Sequence, residues 1–163
     1  MKIILILLLT FNSISCEQEL NTLDNDDFII SYPTSLKLDD TRKDGVLFIL
    51  STVKDGINDN FIENINLASQ YVGDISFEDF IVKTEKEIKS VAELLETKQI
   101  RVNGRDCLSL KIKVKQNNLD LTFIQHYYIK NQKVYVLTFS SESKMYDSFF
   151  EDMNKTLLSF KLK

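Results

Sequence analysis

The side chains able to do chemistry in this chain are few: one histidine, two cysteines, and scattered carboxylates and lysines. His126 lies in the middle of an alternating segment, and the strand register inferred below sets Ser109 directly across from it. A serine beside a histidine suggests acyl transfer, but only where a strained turn and oxyanion donors accompany the pair. Ser109 is flanked by Leu108 and Leu110, with no Gly-x-Ser-x-Gly elbow and no oxyanion loop, so His126 reads as structural. A structural zinc takes four ligands, more than one His and one spare Cys supply. Asp24, Asp26 and Asp27, or Asp39 and Asp40, could gather a hard cation weakly, but neither cluster has EF-hand spacing. They read as solvated tether and turn. No Gly-rich phosphate loop occurs, and Cys107, a lone thiol, reads as a small buried hydrophobe. The expectation is no catalytic residue, no metal and no cofactor.

Cys16 differs, because the segment before it has a direction. Lys2 is followed by an unbroken apolar run, Ile3-Ile4-Leu5-Ile6-Leu7-Leu8-Leu9, then by Thr10-Phe11-Asn12-Ser13-Ile14-Ser15. A charged start, a short apolar centre and small residues before a cut site describe a signal peptide. The run is well short of the about 20 residues that cross a bilayer. Ser13-Ile14-Ser15-Cys16 resembles the lipobox of bacterial lipoproteins, with Ser13 where leucine is usual. That resemblance implies that Cys16 is acylated on sulfur and becomes the mature N-terminus. Two rivals remain open: cleavage after Ser15 that releases a soluble protein, and a chain that stays in the cytosol. Residues 1–15 are thus expected to be a signal peptide and residues 16–26 the lipidated cysteine and a polar tether. Two or more acyl chains on one sulfur-bearing residue would make a stable anchor. A ten-residue flexible tether spans about 17 Å, which keeps the body close to the membrane.

Removing the leader leaves roughly 150 residues, enough for one domain with its own core. The chain has 20 Lys+Arg against 24 Asp+Glu, a formal charge of −4, and loses a further positive charge with Lys2. Such acidity argues against nucleic-acid binding, which needs a basic footprint. The expected partners are the membrane, through the anchor, and an envelope protein. The oligomeric state is not set by these features, nor is the membrane or leaflet.

The elements from residue 27 to residue 163 can be placed from their patterns. Residues 27–33 read as a strand closed by Pro33, and residues 36–38 as a second. Residues 46–53 (VLFILSTV) are nearly continuously apolar, as expected of a strand buried on both faces. Residues 54–60 read as a polar loop. Phe61, Ile65, Leu67 and Tyr71 alternate with Asn64, Asn66 and Gln70 in a half-wet strand. Ser76 is a good N-cap, and Phe77, Phe80, Ile81, Thr84, Ile88 and Val91 recur at helical spacing behind it. Residues 95–140 read as an antiparallel meander. Asn103-Gly104 favours a type I′ hairpin, which sets Arg101 opposite Asp106 and Glu96 opposite Lys111. Turns at Asn117-Asn118 and Asn131-Gln132 then pair Lys115 with Asp120, Ile112 with Phe123, Tyr128 with Tyr135 and Ile124 with Phe139. A last helix carries Tyr146, Phe149, Phe150, Met153 and Leu157 on one stripe, and residues 159–163 can add a short strand.

This register gives the sheet two apolar faces. One carries Leu108, Leu110, Ile112, Phe123, Tyr127 and Val136; the other carries Cys107, Ile124, Tyr128, Leu137 and Phe139 at one end. Lys98, Lys111, Lys113 and Lys115 occupy the other end of that second face. They read either as a solvated edge that discourages strand aggregation or as a contact for anionic headgroups or an acidic partner. The expected class is α+β: an antiparallel sheet of about six or seven strands sandwiched by two main α-helices.

Three stretches resemble the PsbP-like group, which includes the extrinsic photosystem II subunit, bacterial envelope lipoproteins and a eukaryotic Ran-binding import factor. They are Phe28-Ile29-Ile30-Ser31-Tyr32-Pro33 with Leu36-Lys37-Leu38, then Phe61-Ile62-Glu63-Asn64-Ile65-Asn66-Leu67 before Ser76-Phe77-Glu78-Asp79-Phe80, and finally Lys133-Val134-Tyr135-Val136-Leu137-Thr138-Phe139-Ser140 with Leu158-Ser159-Phe160. The resemblance implies a sheet between helices and a non-enzymatic accessory or protein-binding role. The alternative is a carrier of a small apolar ligand or lipid, with Phe123, Tyr127 and Phe149 lining a cavity between sheet and helices.

Overall fold

The structure, a computed structural model, describes residues 19–43, 45–54 and 60–163. The expected signal peptide and Cys16 lie outside the described residues, as does most of the 54–60 loop. In chain order the elements are β1 (Leu20–Asp24), β2 (Phe28–Pro33), β3 (Lys37–Asp39), β4 (Val46–Ser51), β5 (Asn64–Tyr71), α1 (Phe77–Val91), β6 (Glu93–Val102), β7 (Arg105–Gln116), β8 (Leu119–Lys130), β9 (Lys133–Glu142), α2 (Tyr146–Ser159) and β10 (Lys161–Leu162). Seven strands form one antiparallel sheet in the order β3-β4-β5-β9-β8-β7-β6, and β1-β2-β10 form a second. The class is α+β.

Three two-residue turns set the meander. Asn103 and Gly104, Asn117 and Asn118, and Asn131 and Gln132 all have positive φ, between 48° and 82°. Positive φ at both central residues is the type I′ geometry, whose twist matches the flanking strands. The register that follows pairs Arg101 with Asp106, Glu96 with Lys111, Lys115 with Asp120, Ile112 with Phe123, Ile124 with Phe139 and Tyr128 with Tyr135, as the turn positions predict.

Because side chains alternate across a strand, this register sorts the apolar residues into two cores. Leu108, Leu110, Ile112, Tyr127 and Val134 meet Phe80 and Ile81 of α1. Cys107, Ile124, Tyr128, Leu137 and Phe139 meet Met153 and Leu157 of α2, together with Phe28, Ile30 and Phe160 of the small-sheet layer. Each helix therefore covers its own face. Ser76 caps α1: its Oγ accepts the Asp79 N–H at 3.0 Å and donates to the Asp79 carboxylate at 2.7 Å.

Three expectations need correction. Residues 20–24, read as tether, form β1 against β2. Asn25 Oδ1 accepts the N–H groups of Asp27 and Phe28, turning the chain back, and Leu23 packs on the second core. This local turn and one half-buried leucine outweigh the acidic composition. β4 is not buried on both faces: Phe48 and Leu50 point inward while Ile49 is exposed. No β4 side chain belongs to the core beneath α1, so among the described residues nothing of that core covers that face of β4. Val91, assigned to the apolar face of α1, is 77 % exposed where the helix ends.

Two substitutions probe this scaffold by urea denaturation. Ser76→Ala removes the cap and is expected to cost about 1 kcal/mol. Gly104→Ala places a Cβ at φ 82° and is expected to cost about 1–2 kcal/mol.

Candidate functional site

The four lysines come from β6 and β7. Cys107, Ser109, Lys111, Lys113 and Lys115 alternate along β7, so the lysines share the α2 side of the sheet with the second core. Each has a partner or an opposing acid. Lys98 Nζ lies 2.8 Å from Glu96 Oε1. Lys111 Nζ sits 4.1 Å above the Tyr146 ring, a cation–π contact. Lys113 is opposite Glu93, and Lys115 is opposite Asp120. The face is thus a mosaic of both signs, because β6 and β8 set acids beside the lysines of β7.

Beside this mosaic, where α2 stops short of the outer strands, lies an open groove of about 440 Å³. Ile100, Ile124, Phe150 and Leu158 line it with Lys98, Lys111, Ser109, His126 and Tyr146. Burial, with Asp147 and Glu96 nearby, pushes the Tyr146 hydroxyl up to about 12.

His126 is 2 % exposed at the groove floor, and burial lowers its pKa to about 4. Its Nδ1 lies 3.4 Å from the Tyr128 hydroxyl. Ser109 is its cross-strand neighbour, yet among the described residues no hydrogen bond joins them and no carboxylate orients the imidazole. A nucleophile needs both. The pair is placed together but is not assembled as a dyad.

Cys107 is fully buried, and desolvation pushes its thiol up to about 12. A thiolate, the reactive form, is therefore suppressed. Asp24 pairs with Lys163, while Asp39 accepts two hydrogen bonds from Thr41 and is held below the usual carboxylate range by them. Among the described residues no three His, Cys, Asp or Glu side chains converge on a metal position, and no helix is long and apolar enough to cross a membrane. The cavity residues expected for a carrier do not meet. Phe123 and Tyr127 belong to the α1 core and Phe149 to the α2 core, on opposite sides of the sheet.

Two polar groups escaped the sequence reading. Glu63 is 4 % exposed and accepts hydrogen bonds from Ser141 Oγ at 3.3 Å and the Glu142 N–H at 3.4 Å. Its only signal is an acid set between Ile62 and the alternating strand. Asn103 Nδ2 donates to the Leu158 and Phe160 carbonyls, tying the first hairpin to the end of α2.

No family model matches the sequence, and no curated protein matches it either. Solved structures do. The cyanobacterial PsbP (CyanoP) of Synechocystis sp. PCC 6803 matches with a TM-score of 0.68 at 14 % identity, over 96 % of this chain and 99 % of that one. The fold is PsbP-like. LpqN of Mycobacterium tuberculosis, described as involved in cell envelope biogenesis, aligns at a TM-score of 0.66 and 12 % identity, over 90 % of this chain and 92 % of its own. PA94 of Pseudomonas aeruginosa aligns at 0.62 and 11 %, over 86 % and 94 %. At such identities the PsbP-like likeness is one of architecture, and residue roles do not transfer with it.

Two measurements follow. An unfolded histidine binds its proton near pH 6.5, and His126 in the fold only near 4. Stability is therefore full above about pH 6.5, falls as pH drops towards about 4 and levels off below, by on the order of 3 kcal/mol in total. NMR titration of the single imidazole should show a midpoint near 4, and His126→Gln should remove this part of the pH dependence. Cys107 should resist alkylation in the folded protein and react promptly in denaturant, as followed by mass spectrometry.

Proposed function

We propose that this chain is a lipid-anchored envelope protein, acylated at Cys16, whose PsbP-like domain serves as a non-enzymatic accessory or protein-binding module. The observation that carries the proposal is the N-terminal stretch: a cation, seven consecutive apolar residues, and Ser13-Ile14-Ser15-Cys16. The likeness to LpqN, a protein described as involved in cell envelope biogenesis, supports the location. The non-enzymatic reading is supported by the state of the nucleophiles: Cys107 is desolvated, and Ser109 lacks a bond to His126.

The reach of the anchor shortens in this reading. β1 begins at Leu20, so the link from Cys16 spans about 14 Å at full stretch. In this reading the body sits against the membrane rather than on a long tether. The partner is an envelope protein that docks on the mosaic face around Lys98, Lys111, Lys113 and Lys115. Bare attraction to anionic headgroups is the weaker reading, because Glu96, Glu93 and Asp120 offset the lysines.

Intact-mass analysis of the protein from membranes should show a mature N-terminus at Cys16 with added acyl mass. Cys16→Ser should move the protein from the detergent phase to the aqueous phase. A free thiol at Cys16 on a soluble product would refute the anchor. Crosslinking from Lys111 and Lys113 positions in intact membranes should capture one predominant envelope protein.

A further inference from the structure

The seven-stranded sheet has two edges of unequal length. β3 offers three residues, whereas β6 offers ten, largely exposed. Hydrogen-bonded pairs alternate outward from the two-residue turn at Asn103-Gly104, beginning with Val102 and Arg105. Ile100, Lys98 and Glu96 therefore direct their N–H and C=O groups to β7. Arg101, Gln99 and Thr97 direct theirs outward, where no strand among the described residues pairs with them.

The charges along this edge run in mirror order about Thr97. Glu96 precedes it and Lys98 follows it, both on the α2 side of the sheet. We propose that β6 pairs antiparallel with β6 of a second copy of this chain, on a two-fold axis through Thr97, to join two seven-stranded sheets into one. In that register Thr97 exchanges both backbone hydrogen bonds with its own counterpart. Glu96 faces Lys98 of the second copy, and Lys98 faces its Glu96, all four on the α2 side of the sheet. Glu96 and Lys98 already pair within one chain, at 2.8 Å and with side chains 48 % and 59 % exposed. Two such pairs set head to tail close a ring of four alternating charges, the networked arrangement in which surface ion pairs count for most.

Neighbouring registers are excluded by the same residues. Moving the axis one residue back sets Glu96 against Glu96; moving it one residue forward sets Lys98 against Lys98. Like charges directly opposite destabilise a ladder. The bulge at Leu95 and the charges also deter arbitrary strands, so the edge is selective for a strand with the opposite charge order, which its own copy supplies. Val91 and Leu95, both exposed at the acidic end of the edge, would lose water contact as the second copy arrives. The interface is small, so association at high micromolar concentration is expected. Confinement by two membrane anchors, if the proposed lipidation holds, would favour it further; the edge pairing itself does not depend on lipidation.

The test uses the full chain in detergent, by sedimentation velocity from about 10 µM to about 1 mM. Wild type should form dimers in this range. Glu96→Lys or Lys98→Glu alone should weaken association about tenfold or more. An equimolar mixture of the two single variants should restore it, as should the double exchange E96K/K98E in one chain. Thermal melting confirms that each variant is folded. Under mild oxidation, Thr97→Cys should give a disulfide-linked dimer, since counterparts on the axis lie about 5.5 Å apart. Gln99→Cys, displaced from its counterpart along the strands, should not. A chain that remains monomeric throughout, a dimer indifferent to E96K, or failure of the charge exchange to rescue would each overturn the proposal.

Discussion

The constraint on which the molecule rests is that β7, β8 and β9 are apolar on both faces at once. A sheet of that kind cannot stand alone, because whichever face is left open costs about 25 cal/mol for every Å² of apolar surface in water. Cys107 and Leu108 are neighbours in sequence, both fully buried, and they point into different cores. A slip of one residue would exchange the two sets and bring Lys111 and Lys113 beneath α1. The three positive-φ turns prevent that slip, and each helix then has a surface to cover. The placement of α1, α2 and the small sheet follows from a register set by six turn residues.

Much of this could be read in the chain itself, for a local reason. The Asn103-Gly104, Asn117-Asn118 and Asn131-Gln132 turns are two residues long and rich in the types that accept positive φ, so strand pairing on either side is counted outward from them. The features that escaped depend on distant parts of the chain. Leu20–Asp24 is polar and acidic, and becomes a strand because Phe28–Pro33 offers it a ladder and the core offers Leu23 a place. Whether Ile49 meets water depends on how far α1 extends across the sheet. The burial of Glu63 depends on Ser141 and Glu142, nearly eighty residues away. No pattern within either segment carries that information.

The candidate site shows the same division. The lysine positions and the Ser109–His126 adjacency follow from register. The acids that offset the lysines lie largely on β6 and β8 and could be placed the same way, yet their effect depends on side-chain geometry such as the 2.8 Å approach of Lys98 to Glu96. The cation–π contact of Lys111 with Tyr146 joins a strand to a helix 35 positions further along the chain, and no spacing rule connects them. What looks in sequence like a basic patch on an acidic protein is, in the fold, a surface of alternating sign. Alternation favours recognition by shape and order of charge over simple attraction.

The small sheet places β2 between the first and last strands, with Lys161 and Leu162 paired to Ile29 and Phe28. Synthesis runs from one end of a chain to the other, so a nascent polypeptide can form the β1–β2 hairpin early but has nothing to lay along the opposite side of β2. That side stays open until Lys161 and Leu162 have been made. The second core, which takes in Phe160 and Leu162 along with Phe28, is sealed last. Closure of that core therefore waits on a segment far downstream of the strand it completes.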